Sequence, residues 1–237
     1  MVNYGDRNMT KDQDFIKNIV KLVIVFVLFY NSYLFQYIPI FALHMDVKHI
    51  SGSTNVMLSA FSNIIMCFIL FFMYKKELTT EWKRFREKFT ENIDCGFKYW
   101  SLGLVGMIIS NLVLNLIFQA GQAANEQAVQ KMITYLPWLM VINAGLLAPF
   151  IEEIVFRKTF KNVFHGKWTF ILITGILFGL VHVIGNLNSF VDFLFIIPYG
   201  CLGISFAFCY YKTDTVFTSM FMHMFHNSVL VLLSILV

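Results

Sequence analysis

Charge is what this chain has least of: Asp, Glu, Lys and Arg make up 14% of its 237 residues, against roughly 25% in an ordinary soluble domain. So low a share, beside 58% apolar and aromatic residues, excludes a soluble globule. Phe alone contributes 27 residues, which excludes disorder and collagen-like repetition. The four cysteines, Cys67, Cys95, Cys201 and Cys209, show no paired spacing, so a disulfide scaffold is excluded too. No internal repeat, low-complexity run or soluble domain is visible. No segment alternates polar and apolar residues in the manner of the ~10-residue strands of a membrane barrel. The class that remains is a polytopic membrane protein.

What the sequence does have is long apolar stretches, at about 22–43, 54–74, 99–118, 132–150, 168–184, 190–211 and 216–237. Most approach the ~20 residues that cross a ~30 Å hydrocarbon core as a helix rising ~1.5 Å per residue. The sequence therefore predicts an all-α, polytopic transmembrane bundle of about seven spans, one membrane domain over 1–237 with a tail over 1–21. The first stretch is longer than a signal-peptide core and lacks an A-x-A site, so it counts as a span. Cys67, Cys201 and Cys209 fall inside spans, as small apolar packing groups.

The net charge of +4 raises the question of a nucleic-acid partner, and its distribution answers it. Of the 18 Lys and Arg residues, 16 lie in the N-terminal tail, in 75–98, in 157–167 and at Lys212; only Lys48 and Lys131 lie in the alternate connections. That asymmetry orients a cell-membrane protein in the lipid bilayer, with the N-terminus cytoplasmic and the C-terminus outside. In the segment from Lys75 to Lys98 the acids Glu77, Glu81, Glu87, Glu91 and Asp94 interleave with the bases, so it reads as an orienting cytoplasmic loop and no nucleic acid is implied.

Ionisable residues at membrane depth are costly and are functional candidates by default. Here they are Glu152, Glu153 and Arg157 after the fourth stretch, His182, Asp192, His223 and His226. Residues four apart share a helix face, so Arg157 pairs with Glu153 and leaves Glu152 without that partner. A carboxylate so placed, facing a partly dry cavity, is suited to exchanging a proton with water. Taken alone, the glutamate pair reads rather as the acidic first turn of a helix beginning after Pro149. Phe178 stands four residues before His182 and can fix its ring. His223 and Asn227, also four apart, present two donors in one direction, either for a developing oxyanion or as an interhelical clamp. His226 has no partner spacing and reads as packing or as a supporting group, and Asp192 reads as an interfacial acid.

In order, Glu152-Glu153-x-x-x-Arg157, Phe178-x-x-x-His182 and His223-x-x-x-Asn227 resemble the three signature motifs of the CAAX-protease and bacteriocin-processing (Abi) family of intramembrane endopeptidases. Ala148-Pro149, Phe178-Gly179-Leu180, Gly200-x-x-Gly203 and Lys212-Thr213-Asp214-Thr215 resemble it as well, so that the likeness covers about 140–230. The resemblance implies peptide-bond hydrolysis inside the bundle: Glu152 and His182 activate a water, His223 and Asn227 stabilise the oxyanion, and Glu153, Arg157 and Phe178 give structural support. It implies a membrane-associated peptide or protein substrate. A pheromone or bacteriocin leader is favoured over a prenylated CAAX protein, with a non-catalytic scaffold or self-immunity role as the alternative. H-E-x-x-H, G-x-S-G and G-x-G-D are all lacking, which removes the usual contexts of zinc, serine and aspartyl intramembrane proteases. No cofactor is expected, although Glu152, His182 and His223 would also make a His2Glu zinc shell.

One difficulty is visible in advance. Counting ~1.5 Å per residue from Trp168 puts His182 about 20 Å into its span, whereas Glu152 falls near the cytoplasmic end of the fourth. For the two to meet, the sequence predicts a helix break at Pro149 and an inward dip of 185–189 around a water-filled chamber. The charge asymmetry has its own test: reporter fusions at Thr90 and Val237 are expected to report opposite sides of the membrane.

Overall fold

The computed structural model describes residues 4–187 and 189–236, with the side chains of residues 13–236 apart from 186 and 188. Among these, every regular element is helical. Helix α1 (Tyr4–Tyr30) passes through a 3-10 turn, Ser32–Gln36, into α2 (Tyr37–Ala42). Then follow α3 (Gly52–Glu87), α4 (Phe89–Phe118), α5 (Ala124–Tyr135), α6 (Pro137–Lys161), α7 (Lys167–Val183), α8 (Phe190–Thr213) and α9 (Val216–Leu236). Each of the seven apolar stretches is represented. Five of them (α3, α4, α6, α8 and α9) are long and apolar enough to cross a membrane, and the first stretch, bent by 51° after Tyr30, makes a sixth. The 17 residues of α7 reach only ~25 Å. The fold is thus a polytopic helical bundle.

Two expected boundaries move. The stretch 132–150 divides, since 132–135 end the polar helix α5 and the extended backbone of Leu136 separates it from α6 at Pro137. Nor is 75–98 a loop: α3 continues to Glu87 and α4 begins at Phe89.

Close backbone approach joins α7 to α8. A Cβ on Gly175 would meet the backbone nitrogen of Ile204 at 2.9 Å, and one on Gly203 would meet the Gly175 carbonyl oxygen at 2.8 Å. Small residues are what allow helices to approach this closely where lipid supplies no hydrophobic drive. On the other side of the core, Phe26 and Phe29 of α1 pack edge-on against the buried Phe156 of α6.

Helix α6 is irregular in two places, with π turns at Asn143–Leu147 and Ile154–Lys158 on either side of the glutamates. Pro149 has no N–H to offer the preceding turn, and a helix at membrane depth must find other donors for the carbonyls so released. Helix α9 supplies them, and α3 adds a contact to a neighbouring carbonyl. Asn227 Nδ2 donates to Ala144 O at 3.1 Å, Ser228 Oγ to Gly145 O at 3.4 Å, and Cys67 Sγ to Leu147 O at 3.8 Å. The break expected at Pro149 is therefore absent: a π turn absorbs the missing bond and α6 runs on to Lys161. Nor do the described residues of 185–189 dip inward. Ile184 and Leu187 are exposed and a Cβ on Gly185 would meet nothing within 4 Å, while Asn188 lies outside the described residues. The irregular backbone beside the site belongs to α6 instead.

At the cytoplasmic end expected from the charge pattern, Glu81 of α3 is buried. Its Oε1 accepts from Lys158 Nζ at 2.7 Å and from the Tyr210 hydroxyl at 2.9 Å, and its Oε2 accepts from the Val216 backbone N–H at 2.7 Å. One side chain thus pairs with α6, reaches α8 and caps the first turn of α9, where a negative charge also suits the helix dipole. Glu81→Ala leaves Lys158 buried and unpaired, and it is expected to destabilise the protein by about 3–5 kcal/mol. Thermal unfolding in detergent checks this; an unchanged melting temperature would remove Glu81 from its role as a joint.

Candidate active site

Because α6 continues past the glutamates, Glu152 lies ~14 Å along the helix from Lys161 rather than at its end. That resolves the distance problem. Glu152 Oε2 is 4.0 Å from His182 Nε2 and 3.6 Å from His223 Nε2. The structure brings Glu152, Glu153, Arg157, Phe178, His182, His223 and Asn227 to one locus, whereas Asp192 stays apart, closing a capping box with Ser189 at the start of α8.

The buried pair expected from the i,i+4 spacing is present. Arg157 Nε is 3.6 Å from Glu153 Oε2, with both side chains fully buried. The guanidinium also donates to Gly203 O at 3.2 Å and lies over the Phe178 ring, 4.6 Å from its centroid. The other oxygen of Glu153 accepts from His223 Nδ1 at 3.0 Å. His182 Nδ1 donates to the carbonyl of Phe178 at 2.8 Å. In both rings the Nδ1 hydrogen is thereby committed, and a neutral ring presents a lone pair at Nε2, the atom facing Glu152. The rings have little freedom to turn. His182 lies between Phe178 (centroids 4.5 Å apart) and Tyr199 (4.7 Å, stacked), and Phe206 stacks on His223 at 4.6 Å.

Three acceptors, one carboxylate oxygen and two imidazole nitrogens, therefore point at one another. Glu153 takes the single guanidinium, which leaves the Glu152 carboxylate facing the two imidazoles. A carboxylate and two imidazoles within reach of one another are what acid–base chemistry needs. Among the described residues no trio of His, Cys, Asp or Glu is arranged to hold a metal ion.

A cavity of about 240 Å³ opens beside these rings, bordered by His182, Tyr199, Phe206, His223, His226 and Asn227, with Asn125 and Glu126 of α5. One N–H of Asn227 is spent on Ala144 O, and the oxyanion role expected for His223 requires its ring to carry a second proton. Tyr199 and α5 had no signal in the sequence. Tyr199 precedes the Gly200-x-x-Gly203 pattern without any spacing to a histidine, and of α5 only the last four residues fell within an expected span.

Residues 134–229 match the family model described as type II CAAX prenyl endopeptidase Rce1-like. The chain is 30% identical over 117 residues to YdiL of Bacillus subtilis, a candidate membrane peptidase by its name, across 48% of this chain and 44% of that one. It is 32% identical over 91 residues to YbdI of Lactococcus lactis, across 35% of this chain and 50% of that one. The chain thus matches half or less of the length of these curated relatives. No solved structure matches it. The matched segment contains all three motifs and every residue around Glu152 described above except those contributed by α3, α4 and α5, and over that segment the chain is similar to the CAAX-protease family.

Proposed function

We propose that the protein is an intramembrane endopeptidase that hydrolyses a peptide bond of a membrane-associated peptide or protein through a water activated by Glu152. The observation that carries this reading is the convergence of Glu152 Oε2 with the two Nε2 atoms, each ring held by its own Nδ1 bond. In the proposed step, Glu152 and His182 receive a proton from the water as its oxygen attacks the scissile carbonyl. The proton then passes to the leaving amine. His223, when it carries the second proton, and the remaining N–H of Asn227 are donors for the oxyanion. The substrate proposed is a bacterial peptide such as a pheromone or bacteriocin leader, in keeping with the Bacillus and Lactococcus relatives.

One observation favours a second reading. A zinc ligand histidine ordinarily donates its other ring N–H to a carboxylate or backbone carbonyl, and both His182 and His223 do so. Glu152, His182 and His223 would then be the ligands, which requires them to draw together from the arrangement described above, in which no trio among the described residues is set to hold a metal; the metal would supply Lewis-acid activation of water.

Glu152→Gln keeps shape and removes the base. It is expected to lower cleavage at least ~10²-fold while the protein level is unchanged, measured by mass spectrometry of secreted and membrane peptides from cells carrying either form. Equal activity would sink the assignment. Glu153→Gln and Arg157→Ala strand a buried partner and are expected to act chiefly through stability, lowering the folded yield in detergent by a loss of several kcal/mol.

The metal question has a direct answer. Purified protein is expected to keep its activity after exhaustive chelation, with no stoichiometric metal by elemental analysis. Activity that is lost and then restored by zinc would give the three residues ligand roles.

A further inference from the structure

Three histidines border the cavity, and their hydrogen positions differ. His182 and His223 spend their Nδ1 hydrogens on the Phe178 carbonyl and on Glu153, so in neutral form neither offers an N–H to the cavity. His226 is the reverse case. The indole nitrogen of Trp100, in α4, meets His226 Nδ1 at 3.4 Å. An indole N–H can only donate. Nδ1 must therefore accept, and the hydrogen of the neutral ring is on Nε2. His226 is only 5% exposed, it borders the cavity, and among the described residues no protein group accepts that hydrogen.

A ring N–H that is not enclosed by the protein and borders the cavity is open to an acceptor that enters there. His226 is one turn beyond His223 on α9, and residues three apart on a helix are neighbours, with Cβ atoms ~5–6 Å apart. We propose that His226 is a substrate-binding donor: its Nε2–H hydrogen-bonds the carbonyl oxygen of the peptide bond being hydrolysed, with Trp100 as the residue that positions it. The proton stays on the ring throughout. The bond strengthens as the carbonyl becomes an oxyanion and returns to its first strength when the tetrahedral intermediate collapses. This gives the oxyanion a neutral donor that does not depend on a second proton at His223. The proposal rests on the endopeptidase reading above.

The experiment uses the full-length protein in detergent and a fluorogenic peptide that the wild type cuts and Glu152→Gln does not. His226→Phe is expected to lower kcat about 10²-fold with KM within about twofold. His226→Gln, whose amide reaches the place of Nε2, is expected to retain activity within about tenfold of wild type; His226→Asn, whose amide reaches only the place of Nδ1, is not. If the Phe variant does not fold, the Gln and Asn pair carries the test. Independently of catalysis, 15N spectra of histidine-labelled protein are expected to show the Nε2–H tautomer at His226 and its loss of preference in Trp100→Phe. An Nδ1–H tautomer in the wild type, wild-type kcat in His226→Phe, or equal impairment of Gln and Asn overturns the proposal while leaving the endopeptidase reading in place. If the wild type cuts no peptide that Glu152→Gln spares, that reading fails and the assignment of His226 falls with it.

Discussion

The centre of this bundle depends on burying Arg157 completely. A guanidinium so deep is tolerable only when its charge is matched. The match comes from its own helix, one turn earlier, at Glu153. The aromatic face of Phe178 covers the plane, and the carbonyl of Gly203 is within reach. Gly203 can come so close to α7 because it has no side chain. Glu153 then has one oxygen left, and His223 takes it. One buried cation thus links α6, α7, α8 and α9, and three of these four helices contribute the side chains that meet at Glu152.

That linkage divides labour between two neighbouring carboxylates of the same type. Glu153 is consumed by structure: both its oxygens face fixed groups, and its burial is complete. Glu152 is rotated about 100° away and faces only ring nitrogens that are already committed on their far sides. Its geometry is set by the environment, yet its proton is not. Chemistry and scaffolding are separated here by a single step along the chain.

How much of this could be read beforehand follows from how local each interaction is. The pairing of Glu153 with Arg157 and the contact of Phe178 with His182 need only the helical repeat, and both were legible. The continuation of α6 through Pro149 was not, because the carbonyls around it are satisfied by Asn227 and Ser228, some eighty residues later, and by Cys67 on α3. The dip of 185–189, expected from the apparent depth mismatch of Glu152 and His182, is not found among the described residues. Glu81 was hidden by its company: among alternating charges it has the look of a solvated residue, and its burial depends on Lys158, Tyr210 and Val216. The orientation of His226 depends on an indole 126 residues away.

Helix α9 is held at its first turn by Glu81 and along its side by the carbonyls of Ala144 and Gly145. One of its anchors therefore lies inside the segment shared with the family and the other lies before it. This makes 134–229 a poor unit for exchange. A chimera that joined this segment to the first half of a relative would inherit the motif residues intact and still lose their axial register, unless the graft also carried the acid at 81 that Lys158, Tyr210 and the Val216 N–H within it bind. Recombination within this architecture has its natural seam elsewhere, ahead of α3, where the exchanged piece would bring both anchors with it.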